Sequence, residues 1–253
     1  MKVSIVHAVL NSHEIVRRQL LHYGKLGLPD DVEVIIVDDG SEPALKDVVD
    51  FYGVNFNISL CETNDKRPWT QPAARNIGAR ISKGEYCIFT DIDHIITGKV
   101  VEEARNPRAD VIRFRREVAV LDENGNFVQS MDELRKWGYI KDGFKIAPHG
   151  NSYIFRRDLF LELGGVDTSY VGTGKYPNRE EVPLKHKIKK LWDSGKITVI
   201  DTDPKPTIYM MPNGHYCGDK DANPFGLFHG LSRSIRESRK RQAEYREQCA
   251  TLA

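Results

Sequence analysis

Long apolar stretches are absent from this chain, and so is a surplus of charge of either sign. No apolar run approaches the ~18 residues that a helix needs to cross a bilayer. Lys and Arg number 37 and Asp and Glu 36, which gives a formal net charge of +1. A generic binder of polyanions needs a surplus of basic charge, so the near-neutral balance excludes that class. The first apolar segment, Val3 to Leu10, contains His7 and lacks a cleavage site of small residues, so we interpret it as a buried strand and not as a signal peptide.

Cysteine is scarce as well. The four cysteines stand at positions 61, 87, 217 and 249, and no two are close enough to form a Cys-x-x-Cys pair. Their spacing excludes a zinc knuckle and a dithiol redox motif. Cys87 lies in the apolar run 86–89 and is predicted to be a small core residue. Reduced thiols are typical of a cytoplasmic protein, and this is the location that we predict.

Strand and helix patterns alternate over the first hundred residues. With 253 residues, 40% of them hydrophobic, the chain is long enough for one large globular domain. Alternation predicts an α/β fold, with a mostly parallel mixed sheet flanked by helices, and ligands bind such sheets beyond the carboxyl ends of the strands. The predicted strands are 3–6, 32–37, 54–60 and 85–90. Three helices are predicted as well. The first carries Ile15, Leu20 and Leu21 after a cap at Asn11 or Ser12, the second spans 44–51, and the third spans 73–81 and is opened by Pro72.

The second half is less regular. The turn residues Asp122 to Asn126 predict a hairpin over 111–128. Further on, the patterns predict a strand at 152–155, a helix at 157–163 closed by Gly164 and Gly165, an amphipathic helix at 180–192 and a basic helix at 232–248. We interpret this last helix as solvated. Contact with an anionic membrane surface or with nucleic acid is the alternative.

Acidic clusters follow two of the predicted strands. Asp38 and Asp39 come directly after the strand at 32–37, where they are either ordinary turn residues or acceptors for a ribose or nucleobase. Asp91 and Asp93 end the strand at 85–90, and in extended chain their carboxylates project to the same side. Paired oxygen ligands of this kind suit Mg²⁺ or Mn²⁺. An acidic strand exit without a metal is the alternative.

Two residues of the predicted helix at 73–81 also call for an explanation. Gly78 inside a helix costs about 1 kcal/mol relative to alanine, which indicates a close approach of backbone or ligand. Arg75, near the start of the same helix, could reach a phosphate or a base, or could form an ion pair. His149 stands ahead of a predicted strand, where contacts to a second substrate could arise, although a lone histidine is more often structural.

Taken in chain order, these motifs resemble the family 2 type glycosyltransferases of the GT-A fold. The likeness extends over roughly residues 3–195 and rests on the segments 3–6 with Asn11, 38–41, 74–79, 89–93, 164–167, 170–172 and 180–184. The stretch Met210 to His215 is loosely similar to the β-1,4-galactosyltransferase branch, in which a late histidine completes the metal site.

The resemblance implies a metal-dependent, inverting transferase of the hexosyltransferase class. Its donor would be a nucleotide diphosphate sugar, with a UDP-sugar favoured, its acceptor a glycan or other hydroxyl compound, and its cofactor Mn²⁺ or Mg²⁺. We expect a single GT-A-like domain over 1–253. Its parts would be a nucleotide-binding half at 1–98, an acceptor-binding half at 99–231 that includes a lid at 214–230, and the basic helix at 232–253.

The resemblance also assigns roles to residues. The nucleotide would be bound by Asp38, Asp39, Asp65, Arg75 and Asp91, with Asp39 holding the nucleoside and Asp65 contacting the base. The metal ligands would be Asp91, Asp93 and either His215 or His229, and Asp93 is the more direct ligand. Acceptor contacts are expected from Trp69, His149 and Asn151. Glu181 aligns with the catalytic base.

The chain departs from the family pattern at the base. The family usually has Glu-Asp where this chain has Glu180-Glu181, and Lys175 to Asn178 are inserted before the pair. An extra methylene moves the carboxylate by about a bond length, so either glutamate could be the base. One alternative is a non-catalytic nucleotide- or glycan-binding relative. Another is a sugar-nucleotide nucleotidyltransferase, although the glycine-rich loop of that class is missing after the first strand.

Overall fold

Twelve strands and six helices are present in the part of the chain that the computed structural model describes, which comprises residues 1–63, 65–67, 70–130, 132, 134, 150, 152–172, 180–211, 240 and 243–244. The strands are β1 (Val3–Val9), β2 (Val32–Asp38), β3 (Asn57–Glu62), β4 (Tyr86–Phe89), β5 (His94–Ile95), β6 (Val111–Arg113), β7 (Arg115–Val118), β8 (Val120–Leu121), β9 (Phe127–Val128), β10 (Tyr153–Arg156), β11 (Val199–Ile200) and β12 (Thr207–Met210). The helices are α1 (His13–Leu26), α2 (Leu45–Val48), α3 (Gln71–Ile81), α4 (Gly98–Arg105), α5 (Arg157–Glu162) and α6 (Val182–Asp193).

The central sheet has seven strands in the order β11-β6-β10-β4-β1-β2-β3. Four consecutive strands of the sheet, β4, β1, β2 and β3, are parallel to one another, and β11 is parallel to β6. Strand β10 is antiparallel to both β4 and β6. The predicted fold class, a mostly parallel mixed sheet, is confirmed. Strands from both halves of the chain share this one sheet.

Two apolar layers cover the two faces of the central sheet. Every residue of β1 and β2 is buried, as expected for strands covered on both faces. One layer contains α1 and α4, and the other contains α3, α5 and α6. Cys87 lies in the second layer as a buried free thiol, which confirms its predicted core position.

Helix α2 is shorter than predicted. The pattern predicted a helix over 44–51, but the helix ends at Val48. Asp50 Oδ1 accepts hydrogen bonds from the backbone N–H groups of Tyr52 (2.8 Å) and Gly53 (3.2 Å). Such an Asx turn competes with helical hydrogen bonds and ends the helix. The same turn delays β3, which begins at Asn57 instead of at the predicted position 54.

The predicted hairpin over 111–128 is also smaller than expected. Only β8 and β9 pair with each other, through Val120–Val128 and Leu121–Phe127. Strand β6 joins the central sheet between β10 and β11, whereas β7 pairs with β12 in a second, three-stranded sheet. Tertiary pairing therefore divides a segment that the local sequence pattern presented as one hairpin.

Helix starts agree more closely with prediction. Helix α1 follows Ser12 as expected, but the Ser12 hydroxyl donates to the Leu10 carbonyl (2.9 Å) and does not cap the helix. Helices α3 and α6 carry Pro72 and Pro183 in their first turns, where a missing N–H costs nothing. Within the described ranges, no helix combines the length and the apolar character that crossing a bilayer requires.

Gly78 allows α3 to lie directly on the sheet. A Cβ built on Gly78 would lie 2.4 Å from Val6 Cγ1 and 3.2 Å from Val37 Cγ2. These side chains belong to β1 and β2, and β2 is one of the two strands whose carboxyl ends carry the acidic clusters. The close approach predicted for Gly78 is therefore an approach of helix to sheet.

We predict that Gly78→Ala destabilises the protein although alanine favours helix. Overpacking of this kind costs about 1–3 kcal/mol, whereas alanine gains about 1 kcal/mol of helix propensity over glycine. The overpacking cost is the larger of the two when Val6 has no room to move away from the added methyl group. Gly98→Ala is the matched control, because Gly98 begins α4 and has nothing within 4 Å of its added Cβ. Urea unfolding of both variants measures the difference. Equal or greater stability of Gly78→Ala would contradict the packing argument.

Candidate functional site

The carboxyl ends of β1, β2, β3 and β4 lie at one edge of the central sheet, because these strands are parallel. The amino end of β10 lies at the same edge, since β10 is antiparallel to β4. A contact between Thr90 Oγ1 and Ser152 Oγ (3.2 Å) joins these two ends. The topology thus places both acidic clusters of the sequence, and the start of β10, along one border.

The two aspartates at the end of β2 have different surroundings. Asp38 accepts backbone hydrogen bonds at both oxygens, from Ser41 (2.8 Å) and Leu45 (2.9 Å), so it shapes its own loop. Asp39 instead accepts from side chains, at 2.6 Å from Thr70 Oγ1 and 3.2 Å from Thr63 Oγ1. Thr70 immediately precedes α3. Asp39 therefore links the end of β2 to the start of that helix.

Asp65 lies beside the Asp39 loop. Its carboxylate accepts from Arg67 through both the backbone N–H (3.0 Å) and the guanidinium, whose Nη2 lies 2.8 Å from Asp65 Oδ2. Its own N–H donates to Thr63 Oγ1 (3.2 Å), the hydroxyl that also donates to Asp39. The loop after β3 thus packs against the loop after β2, and the predicted base and nucleoside contacts lie on neighbouring loops.

Arg75 and Asp91 form a partly buried ion pair. Arg75 Nη2 lies 2.7 Å from Asp91 Oδ1, and Gln71 Nε2 donates to the same oxygen at 3.1 Å. The Arg75 side chain is only 3% exposed. Both donors lie in the first turns of α3, so this helix start holds the carboxylate that follows β4. Of the two predicted roles of Arg75, the structure shows the ion pair.

Asp93 has a partner that the sequence reasoning missed. His94 Nδ1 lies 2.9 Å from Asp93 Oδ1, and both side chains are largely buried. On the other side of the ring, Arg116 Nη1 lies 3.4 Å from His94 Nε2. The imidazole of His94 therefore lies between the Asp93 carboxylate and the Arg116 guanidinium. The adjacency of His94 to the Asp-x-Asp motif was the available signal.

Asp91, Asp93 and His94 could hold a metal ion together. Each offers one ligand atom, and these atoms all lie within 4.8 Å of one another. Two carboxylates and an imidazole form a donor set that Mn²⁺ accepts. Among the described residues, this is the cluster whose chemistry fits the predicted metal.

The backbone around Asp93 is fixed from two sides. Gln19 of α1 donates its amide hydrogens to the carbonyls of Ile92 and His94, both at 2.9 Å, and the N–H of Met211 donates to the carbonyl of Asp93 at 2.9 Å. The carbonyls of Ile92, Asp93 and His94 therefore all accept hydrogen bonds, two from Gln19 of α1 and one from Met211, the residue after β12. Sequence patterns gave no signal for Gln19.

Glu180 and Glu181 precede α6. Glu181 is the residue before the helix, and its Oε1 lies 3.0 Å from Lys185 Nζ. Gly150 abuts this pair, because an added Cβ would lie 2.9 Å from Glu181 Oε1. Burial raises the pKa of Glu180, the charges of Glu181 and Asp91 raise it further, and Arg75 opposes them. The glutamate pair is thus electrostatically connected to the ion pair at the end of β4.

Asn76 joins two of the sequence motifs. Its side-chain amide pairs with both backbone groups of Val166, at 2.9 Å in each direction. Gly165 (φ +69°) must be glycine here, because an added Cβ would lie 2.3 Å from Asn76 Oδ1. Segments 74–79 and 164–167 are therefore two sides of one contact.

Several predicted site residues lie outside the described residues. These are the acceptor candidates Trp69, His149 and Asn151 and the late histidines His215 and His229. The predicted lid at 214–230 lies outside them too, as does almost all of the basic helix at 232–253. Their roles stay predictions.

A mostly parallel sheet that gathers acidic clusters at the ends of β2 and β4 is the GT-A architecture of nucleotide-diphospho-sugar transferases. Comparison with known families agrees: the sequence profile of "Glycosyltransferase like family 2" matches residues 4–178. The chain belongs to this family of glycosyltransferases, which confirms the resemblance found in the sequence.

Two sequence relatives are named as poly(ribitol-phosphate) glycosyltransferases. The poly(ribitol-phosphate) beta-N-acetylglucosaminyltransferase TarS of Staphylococcus aureus is 29% identical over 107 residues, which cover 41% of this chain and 18% of TarS. The poly(ribitol-phosphate) beta-glucosyltransferase of Bacillus spizizenii is 35% identical over 100 residues, which cover 38% of this chain and 15% of that enzyme. The chain thus matches less than a fifth of the length of these relatives.

Solved structures with the same fold include two sugar-nucleotide complexes. S. aureus TarS 1–349 in complex with UDP-GlcNAc has a TM-score of 0.52 and 19% identity, covering 96% of this chain and 66% of that one. The mannosyltransferase PcManGT from Pyrobaculum calidifontis in complex with GDP-Man and Mn²⁺ has a TM-score of 0.56 and 17% identity, covering 100% and 80%. At these identities the likeness establishes the fold.

We predict that Glu180→Gln raises stability at neutral pH in metal-free buffer. A carboxyl whose folded-state pKa is raised binds protons more readily in the folded state, so its ionisation destabilises the fold above that pKa. The gain should shrink as pH falls and vanish below the unfolded-state pKa, where both states are protonated. Thermal unfolding of parent and variant between about pH 4 and pH 8 tests this. A pH-independent difference would contradict the assigned shift.

Proposed function

We propose that this chain is a metal-dependent, inverting glycosyltransferase that moves a sugar from a UDP-sugar to a hydroxyl acceptor. The observation that carries the proposal is the meeting, at one edge of the sheet, of Asp39, the Asp91–Asp93–His94 cluster and the Glu180–Glu181 pair. Transfer from a nucleotide sugar requires a nucleoside site, a metal site and a base, in that order.

The donor would lie across the ends of β2 and β4. Asp39 would accept from the nucleoside, and Asp65 on the neighbouring loop would contact the base. TarS, which shares this fold, has been solved with UDP-GlcNAc, and this supports a uridine nucleotide. Asp38 would act indirectly, since its oxygens accept from the backbone of the same loop.

The metal would be Mn²⁺ or Mg²⁺, held by Asp93 with Asp91 and His94. A bound divalent ion would supply Lewis-acid neutralisation of the leaving diphosphate. PcManGT, another chain of this fold, was solved with Mn²⁺, which supports a divalent ion. A late histidine stays a candidate ligand. His215 follows Met211, whose N–H donates to the Asp93 carbonyl, by four residues, so we favour it over His229.

The base would be a glutamate before α6. It would take the proton of the acceptor hydroxyl while the acceptor oxygen bonds to the anomeric carbon and the bond to the diphosphate breaks on the opposite face. We assign this role to Glu181, which family likeness favours. Glu180 is the alternative, because its raised pKa suits a proton acceptor at neutral pH.

The acceptor remains a hydroxyl compound. Gly150 abuts Glu181, and its sequence neighbours His149 and Asn151 are the predicted acceptor contacts. Both sequence relatives are named for poly(ribitol-phosphate), so this polymer is the acceptor to try first. A non-catalytic sugar-nucleotide binder is the second candidate function, and the ion pair of Glu181 with Lys185 favours it, because that contact occupies the assigned base.

A thermal-shift panel tests the donor. Ligands that bind the native state raise apparent stability by RT ln(1 + [L]/Kd). We expect UDP with Mn²⁺ to give a larger shift than GDP, ADP or CDP with Mn²⁺, and EDTA to reduce it. Equal shifts for all four nucleotides would remove the uridine assignment. Turnover of UDP-GlcNAc or UDP-glucose with an acceptor then separates the enzyme from the non-catalytic binder.

Substitutions of Asp93 and of Asp39 should weaken nucleotide binding in different ways. Asp93→Ala should abolish the Mn²⁺-dependent part of UDP affinity and leave uridine affinity unchanged. Asp39→Asn should weaken both UDP and uridine, with and without metal, by about tenfold, as for the loss of a hydrogen bond to a charged group. Calorimetric titrations of the two variants measure this. Unchanged Mn²⁺–UDP affinity in Asp93→Ala would disprove the metal assignment.

Glu181→Gln should keep UDP-sugar binding and lose transfer by on the order of 10²-fold or more, as expected for a missing general base. Glu180→Gln, the matched control, should lose less. Steady-state rates of both variants, with the donor identified by the panel, decide between them. A fully active Glu181→Gln enzyme would refute the base assignment, and a more severe loss in Glu180→Gln would move the role by one residue.

A further inference from the structure

The hydroxyl of Tyr153 is buried without a hydrogen-bond partner in the described structure. Tyr153 is the first residue of β10 and is 2% exposed. Its hydroxyl oxygen makes no hydrogen bond to any residue that the structure describes. A buried hydroxyl without a partner is costly to the fold, so native proteins rarely keep one without a reason.

The position of Tyr153 is fixed by strand pairing and by aromatic contacts. Tyr153 lies opposite Phe89 in the antiparallel pair β10–β4. On the β4 side, Asp91 follows Phe89 by two residues. The ring of Tyr153 contacts Phe89 and Phe155 edge-on, with centroids 5.7 and 5.4 Å apart. The ring is therefore held at the edge of the sheet where the candidate site lies.

Charges near this edge of the sheet act on the Tyr153 hydroxyl. Arg75, and Arg113 opposite Tyr153 on β6, lower its pKa, whereas Glu181 and Asp91 raise it. Burial raises the pKa of Tyr153 to about 12, so the group stays protonated at neutral pH. It can therefore donate a hydrogen bond there and cannot serve as a base.

We propose that the Tyr153 hydroxyl binds the transferred sugar of the donor, by donating a hydrogen bond to one of the sugar oxygens. The inference rests on the proposed function. During transfer the sugar lies between the metal-bound diphosphate and the base, and Tyr153 is a buried donor at the same edge of the sheet as Asp91. A sugar oxygen would supply the acceptor that the described residues do not provide at this position.

Tyr153→Phe tests the contact, because it removes the hydroxyl and keeps the ring. Calorimetry with Mn²⁺ would compare UDP-GlcNAc and UDP-glucose with UDP, which has no sugar to contact. We expect the variant to bind whichever UDP-sugar the parent binds about 3- to 10-fold more weakly, and to bind UDP as the parent does. Its melting temperature should be equal or higher, since an unpartnered buried hydroxyl has been removed.

Tyr23→Phe is the matched control. Tyr23 is also fully buried, but its hydroxyl lies 2.7 Å from His7 Nε2. Removing this hydroxyl leaves the histidine nitrogen without its partner, so the melting temperature should fall. Affinity for the UDP-sugar should stay that of the parent. The two tyrosine variants thus separate a hydroxyl kept for a ligand from one kept for stability.

Four results would overturn the inference. Unchanged UDP-sugar affinity in Tyr153→Phe would show that the hydroxyl makes no contact with the donor. Equal weakening of UDP and UDP-sugar would assign the contact to the diphosphate instead of the sugar. A parent protein that binds UDP but neither UDP-sugar leaves no sugar site for Tyr153, whereas one that binds no UDP compound refutes the proposed function itself and this inference with it.

Discussion

The partly buried ion pair between Arg75 and Asp91 is the contact on which the site depends. The charges of Glu181 and Asp91 both raise the pKa of Glu180, and the charge of Arg75 lowers it. Arg75 also donates to Asp91 at 2.7 Å. Because Arg75 lies near the start of α3, this pair fastens the helix to the end of β4. Removing the arginine would break this link and take away a cation that offsets the carboxylates of the site.

Much of the sheet could be predicted from local patterns, for a physical reason. Strands β1 and β2 are buried on both faces, so their sequences are continuous apolar runs that stand out from the surrounding chain. Once such strands alternate with helices, parallel pairing follows, and parallel pairing brings the strand ends to one edge. The placement of Asp39 and Asp91 near each other is therefore a consequence of topology.

What the sequence could not predict depends on contacts between distant segments. The partners of β6 and β7 are β10, β11 and β12, so the pairing of these strands is decided far from the turn that suggested a hairpin. Gln19 supports the metal motif through two backbone carbonyls, and a carbonyl acceptor leaves no mark on the sequence. His94 was different. The sequence places His94 directly after Asp93, but only the fold shows that its ring lies against that carboxylate.

The Asn76–Val166 pairing has a consequence for the order in which the protein assembles. Ninety residues separate its two partners, and closing a loop of that length costs conformational entropy before any contact is gained. During synthesis the amino-terminal segment leaves the ribosome first. The strands β1 to β4 can pair early, but α3 gains this partner only after Val166 has emerged. The half that carries Asp39 and Asp91 therefore leaves the ribosome before this contact can form, and the face of α3 that carries Asn76 stays uncovered until Val166 follows.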